Sequence, residues 1–252
     1  MIYNMKLGKQ APVVDPRVPH LSDRCKLARP LPAVDWTPAV KTFTALGNNQ
    51  HGDCTAAAAF HTAQTLLANS AGSSWVPTDQ DALNLYAATS GFPKVDEGAV
   101  ELDVLKYWAS TGIPTPAGQD TIAFTTLNPR NLDELKLSIQ WFGSAYIGVA
   151  MPLSCQTQGH LWDVPAGGTK GAGAPNSWGG HALCLLAYDD KTFTAISWGE
   201  KYKMTYAFAQ TYIDEAYAVL SRHWLDVAGI APSNIGWQEL QADLTALLPS
   251  GR

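Results

Sequence analysis

The spacing of apolar positions changes character about halfway along the chain. After Asp53, Ala57, Phe60, Ala63, Gln64 and Leu67 recur at intervals of three and four, which is the period of a helix face. Asp53 is a residue type that caps helix N-termini. A second helix is expected over 78–90 with Thr78 as its cap, and a third over 99–111, stopped by Gly112. A fourth follows over 131–143, capped by Asn131. Beyond it the pattern turns to short apolar runs. Residues 144–152 read as a strand, 181–189 and 191–199 as a strand pair joined by an Asp-Asp-Lys turn, and 216–221 as a further short strand. Six glycines in the sixteen residues 165–180 predict a mobile loop. The end, 233–248, has the pattern of an amphipathic helix, with Trp237, Leu240, Leu244 and Leu247 or Leu248 on one face. The first 30 residues, rich in Pro, Lys and Arg and without a period, read as an extended arm. The fold class is therefore α+β: an arm at 1–30, a helical lobe at 31–130 and a β-rich lobe at 131–252.

Composition narrows the function. Apolar residues at 46 % against 15 % charged describe a globular chain and not a disordered one. A net charge of −5 without a basic run argues against nucleic acid as a partner. No apolar run approaches the roughly 20 residues of a membrane span, and the first residues lack an apolar signal core, so a cytoplasmic product is expected. Four cysteines, Cys25, Cys54, Cys155 and Cys184, are too sparse for a disulfide scaffold and contain no C-x-x-C pair. Free thiols in a reducing compartment are expected.

One of these thiols has an unusual setting. In "LGNNQHGDCTAAAAF" a turn-like run delivers Cys54 to the mouth of a helix, followed by four alanines at 56–59. A helix N-terminus offers unpaired N–H groups and a positive dipole end, both of which favour thiolate over thiol. Small side chains let a second element pack close. A base is also needed, and His181 opens the strand after the glycine-rich loop.

The ordered motifs resemble papain-family cysteine peptidases. "LPAVDWTPAV…LGNNQHGDCTAAAAF" is similar to the family's Val-Asp-Trp opening and its nucleophile helix, with the same eighteen-residue separation from Trp36 to Cys54 as in papain. "GGHALCLLAYDD" resembles the histidine strand, "ISWG" the Asn-Ser-Trp-Gly motif, and "GAVELDVLKYWASTGI" the third helix. Papain-like proteins of bacteria and their phages are similar too. The likeness spans roughly 31–220 and implies a two-lobe fold whose second lobe is antiparallel and barrel-like. It implies a peptidase that cuts peptide or protein substrates without a cofactor, through a Cys54 acyl-enzyme with His181 as general base and acid. Asn48 falls where the family has its oxyanion glutamine, with Gln50 as the alternative donor, and Trp198 shields the histidine.

The chain departs from the family at the third catalytic position. Ile196 stands where an asparagine orients the histidine. Ser197 could take over only if a bulge or register change turned it to the histidine's side, because neighbouring strand residues face opposite ways. The spacing from Tyr188 to Trp198 is one residue short of papain's, which makes such a shift plausible. Asp189 and Asp190 are further candidates at the far strand end. The literal "NSWGG" at 176–180 precedes the histidine, so Asn176 is read as a coincidence. The arm is much shorter than inhibitory propeptides of the family, and zymogen control is not expected. Three rival readings follow: a catalytically impaired peptide binder, suggested by Ile196; a cell-wall peptide amidase or endopeptidase using the same dyad; and a metal site from Cys155, His160, Asp163 and His181.

Overall fold

The computed structural model describes residues 5–222 and Trp224, so the amphipathic helix expected over 233–248 lies outside the described residues. In chain order the described elements are α1 (Leu21–Arg24), β1 (Val34–Asp35), α2 (Cys54–Ala71), α3 (Asp79–Thr89), α4 (Glu101–Ser110), β2 (Ile113–Thr115), β3 (Gly118–Asp120), β4 (Ile122–Thr126), α5 (Leu132–Phe142), β5 (Ala145–Met151), β6 (Leu161–Trp162), β7 (Gly179–Tyr188), β8 (Thr192–Ser197), β9 (Glu200–Thr205), α6 (Tyr206–Tyr212) and β10 (Ile213–Ser221).

The expected caps form at α3 and α5, whereas Asp53 stands at the N-cap of α2 without a side-chain cap hydrogen bond. Thr78 and Asp81 exchange side-chain and backbone hydrogen bonds in a capping box that starts α3. Asn131 Oδ1 accepts from the N–H groups of Asp133 and Glu134 at the start of α5, and Gly143, at φ 80°, ends that helix. The helix that begins at Cys54 differs from its expected amphipathic stripe. Every residue of α2 from Cys54 to Ala68 is buried, so it is a central helix wrapped on all sides. Its alanines allow β7 to lie close, and Tyr146 of β5 reaches across to donate to the Thr55 carbonyl at 2.8 Å.

The sheet runs β4-β10-β5-β7-β8-β9-β6, antiparallel throughout except for the β6–β9 pair. The expected barrel-like lobe is corrected here. The two ends of this order, β4 and β6, do not pair, and the sheet stays open. One of its edge strands, β4, comes from the helical half of the sequence and pairs with β10 over five residues. Among the described residues, no helix is long and apolar enough to cross a membrane.

Candidate active site

Cys54 is the first residue of α2, and Ala57 N–H is the first to bond within the helix, to the Asp53 carbonyl. The thiol therefore sits among the unpaired N–H groups of the helix mouth. Across from it, Ala182 on β7 donates its N–H to Cys54 Sγ at 3.3 Å. Ala182 follows His181, so the sulfur lies within backbone reach of the histidine. His181 Nε2 is 2.8 Å from Ser197 Oγ. The Trp198 indole lies nearly flat on the imidazole, with centroids 4.6 Å apart and planes 16° from parallel. His181 Nδ1 has no hydrogen-bond partner among the described residues.

A bulge brings Ser197 to this position. At the far end of the β7–β8 pair, Tyr188 is opposite Phe193 and Ala187 opposite Thr194. Nearer the histidine, Leu185 is opposite Ala195 and Cys184 opposite Ile196. The extra residue on β7 is Leu186, whose carbonyl accepts the Trp36 N–H at 3.2 Å. Without it Ser197 would stand opposite Cys184, on the face away from His181. With it, Ser197 shares a face with Leu183 and His181. Ile196 turns to the other face, where it packs with Cys184, Leu186 and Phe43. Beyond Ser197, Trp198 and Gly199 form a two-residue turn with φ of 49° and 81°, the positive values that tight hairpins require. Trp198 Nε1 then donates to the Lys6 carbonyl at 3.0 Å.

The other predicted residues are less engaged with the thiol. Asn48 is buried and donates its Nδ2 to the His51 carbonyl at 3.1 Å, closing the turn before Cys54. Gln50 is exposed. The carboxyl of Asp53 is buried, and burial raises its pKa to about 8 despite a hydrogen bond from Asn48. Asp189 caps the β7–β8 turn through Lys191, Thr192 and Lys203, and Asp190 is exposed beside it. Both lie about eight strand residues, roughly 25 Å, from His181. Asn176 is exposed with φ 61°, although Trp178 of the same segment packs on Trp198 at 5.8 Å. The metal candidates are not gathered: His160 bonds to Glu200 at 2.6 Å and Asp163 accepts from Thr205. The glycine-rich loop is tethered, with Gly173 accepting from the buried Tyr212 hydroxyl at 2.7 Å.

Zymogen control was not expected of the arm, yet residues 6–10 run directly over the thiol. The Gly8 N–H lies near enough to the Cys54 sulfur to pull its pKa down, and Gly8 O accepts from Ala99 N–H at 2.8 Å. Lys9 N–H donates to Gly180 O and Gln10 N–H to Ala99 O, both at 3.0 Å. The fit leaves no room for a side chain. A Cβ on Gly8 would stand 1.8 Å from the Gly52 carbonyl oxygen, and one on Gly98 1.8 Å from Gly8 O. The Lys9 side chain, 1 % exposed, continues into a buried group of carboxyls. Its Nζ is 3.1 Å from Asp214 and 3.0 Å from Glu215. Glu101, fully buried, completes the group; neither of its carboxyl oxygens has a hydrogen-bond partner among the described residues.

This cover sets the electrostatics. Burial pushes the Cys54 thiol up to about 12, against the pull of the Ala182 and Gly8 N–H groups. Burial also draws His181 down to about 3. With the arm in place the pair is a neutral thiol and a neutral imidazole. Burial lowers the Lys9 ammonium pKa, but Glu101, Glu215 and Asp214 outweigh it and the net shift is upward. Burial, then Glu215, raises the Glu101 carboxyl well above its ordinary range.

No family model and no curated protein matches the sequence. Solved structures do match the fold. Xylellain, a cysteine protease from Xylella fastidiosa, superposes with a TM-score of 0.67 at 17 % identity, over 86 % of this chain and 96 % of that one. Digestive procathepsin L 3 of Tenebrio molitor larval midgut gives 0.61 at 15 %, over 87 % and 77 %. Bromelain from Ananas comosus, solved with the inhibitor E64, gives 0.54 at 16 %, over 75 % and 99 %. The fold is that of the papain-like cysteine proteases.

Proposed function

We propose that the chain is a cysteine peptidase that hydrolyses peptide bonds through a Cys54 acyl-enzyme. The observation that carries this reading is the imidazole of His181, held at Nε2 by Ser197 and roofed by Trp198, with the Cys54 sulfur bonded to the next residue's N–H. The Nδ1 atom is left to take the thiol proton. Once the arm is off and water enters, the burial that keeps both groups neutral is relieved, and the helix mouth favours the thiolate. Sulfur attacks the carbonyl carbon, and the oxyanion forms beside the Cys54 N–H, with Asn48 as the second donor after its turn contacts open. His181 returns the proton to the leaving amine, and water then cleaves the thioester with His181 as base. Ser197 keeps the ring oriented, a role open to any hydroxyl that can pair with Nε2.

Bromelain's E64 complex suggests the test. The chain is exposed near neutral pH to an epoxysuccinyl inhibitor of this type, and intact mass with peptide mapping locates the adduct. A single adduct on Cys54, lost in His181→Ala, is expected. No adduct, with Cys54 still open to a small alkylating reagent, would return the chain to a peptide-binding role.

A further inference from the structure

The cleft beside Cys54 contains a built cation site that the peptidase reading does not require. Two carboxyls, Asp214 and Glu215 from β10, pair with one buried ammonium, and the charge of Glu101 from α4 is felt there as well. The floor is as specific as the charge. The Lys9 stem lies against Gly148 of β5, where an added Cβ would come within 2.0 Å of Lys9 Cε and 2.7 Å of Glu215 Cγ. Any side chain at 148 would fill the slot the stem uses. Glu215 Oε2 is itself held by the Tyr217 hydroxyl at 3.0 Å, so the carboxylate is positioned before a cation arrives. Glu101 is buried nearby with unpaired oxygens, and burial favours its neutral form.

We infer that Glu101, Asp214, Glu215 and Gly148 form a substrate pocket for a basic, lysine-like side chain, and that Lys9 of the arm occupies it as a built-in competitor. Two features tie the pocket to substrate and not to the arm alone. First, Lys9 is anchored through its backbone to Gly180, the residue before His181, so the pocket holds the side chain next to the one lying over the thiol. Second, the arm enters by backbone hydrogen bonds to Ala99 and Gly180 that any extended peptide can make. Selection among sequences comes from the Lys9 head group and from Gly8, whose position has no room for a Cβ. A peptide that displaces the arm leaves Asp214 and Glu215 without their counter-charge unless it brings its own cation. This inference rests on the peptidase reading for the word substrate, but its test does not.

Binding is measured on the full chain carrying Cys54→Ala and Lys9→Ala, so thiol chemistry cannot influence the result. Fluorescence anisotropy compares two labelled peptides with the sequence of residues 5–12, one with lysine and one with norleucine at the position of Lys9. The lysine peptide is expected to bind at least about tenfold more tightly, a difference of some 1.4 kcal/mol. Glu215→Gln added to the same chain should shrink that ratio severalfold. Equal affinities, or no binding of either peptide to a folded chain, would overturn the pocket. Should Lys9→Ala fail to fold, Lys9→Met keeps the stem on Gly148 and the same comparison is made by competition. There the lysine peptide must displace the arm at lower concentration than its norleucine twin. Labelling of Cys54 by the epoxide in the unmodified chain reports on the peptidase reading separately.

Discussion

Replacing Gly8 by alanine asks how firmly the arm closes the site. The added methyl would stand 1.8 Å from the Gly52 carbonyl oxygen, and relieving that clash takes a backbone shift of more than about 1 Å, since a carbon and an oxygen rarely approach closer than about 3 Å. Such a shift breaks the bond from Ala99 N–H to Gly8 O at 2.8 Å and strains the one from Lys9 N–H to Gly180 O at 3.0 Å. Two backbone hydrogen bonds are worth together about 1–3 kcal/mol. The open population should therefore rise by about 5- to 150-fold, at roughly 1.4 kcal/mol per tenfold. The assay is the rate of iodoacetamide addition to Cys54, followed by mass, under conditions where opening limits access. The buried Cys155, remote from the arm, serves as the internal reference. If Gly8→Ala labels at the wild-type rate with an unchanged melting temperature, the arm is not the barrier over the thiol.

Further outcomes follow from the same geometry. Ser197→Ala should slow turnover by about five- to tenfold, the loss of one buried hydrogen bond of about 1 kcal/mol, while Ser197→Thr retains most of it; equal rates for all three would remove Ser197 from the site. Cys54→Ala should abolish peptide hydrolysis and Cys25→Ala leave it intact, as read with a fluorogenic substrate. His61 is a buried core histidine on α2, bonded to the Thr44 carbonyl at 2.9 Å and drawn down by burial to about 4. An unfolded imidazole titrates near 6.5, so between those values the unfolded chain binds the extra proton and His61 costs stability as pH falls. His61→Gln should thus gain on wild type by about 2 kcal/mol between pH 7 and pH 4.5. Denaturation midpoints that move in parallel at the two pH values would contradict this.

The helix beginning at Cys54 and the histidine strand were legible because each depends on local pattern: a turn run, a run of alanines, a His at a strand start. So were the caps Thr78 and Asn131. That the β-rich lobe stays open was not, because closure depends on whether the outermost strands meet, and no residue in β4 or β6 carries that information. Ser197 is intermediate. Its residue type and the one-residue shortfall before Trp198 hinted at a register change, but a bulge at Leu186 has no composition of its own. The blocking arm left the weakest trace. Nothing in Lys-Leu-Gly-Lys at 6–9 marks a plug by itself, and what makes it one is a row of glycines at 52, 98, 148 and 180, each from a different part of the chain. Only the folded chain sets them side by side.

That same plug has a consequence for when the thiol is covered. Lys9 and its acceptor Asp214 are 205 residues apart, nearly the whole described length, and β10 is the last described strand to be synthesised. The arm emerges first and waits for its dock. A chain that ends before residue 213 carries Cys54, His181 and Ser197 but neither carboxyl that pairs with the Lys9 ammonium. The cover is thus a long-range contact of the slow-forming kind, and it certifies a finished molecule: the site is shut by the N-terminus only once the far end of the sheet is in place.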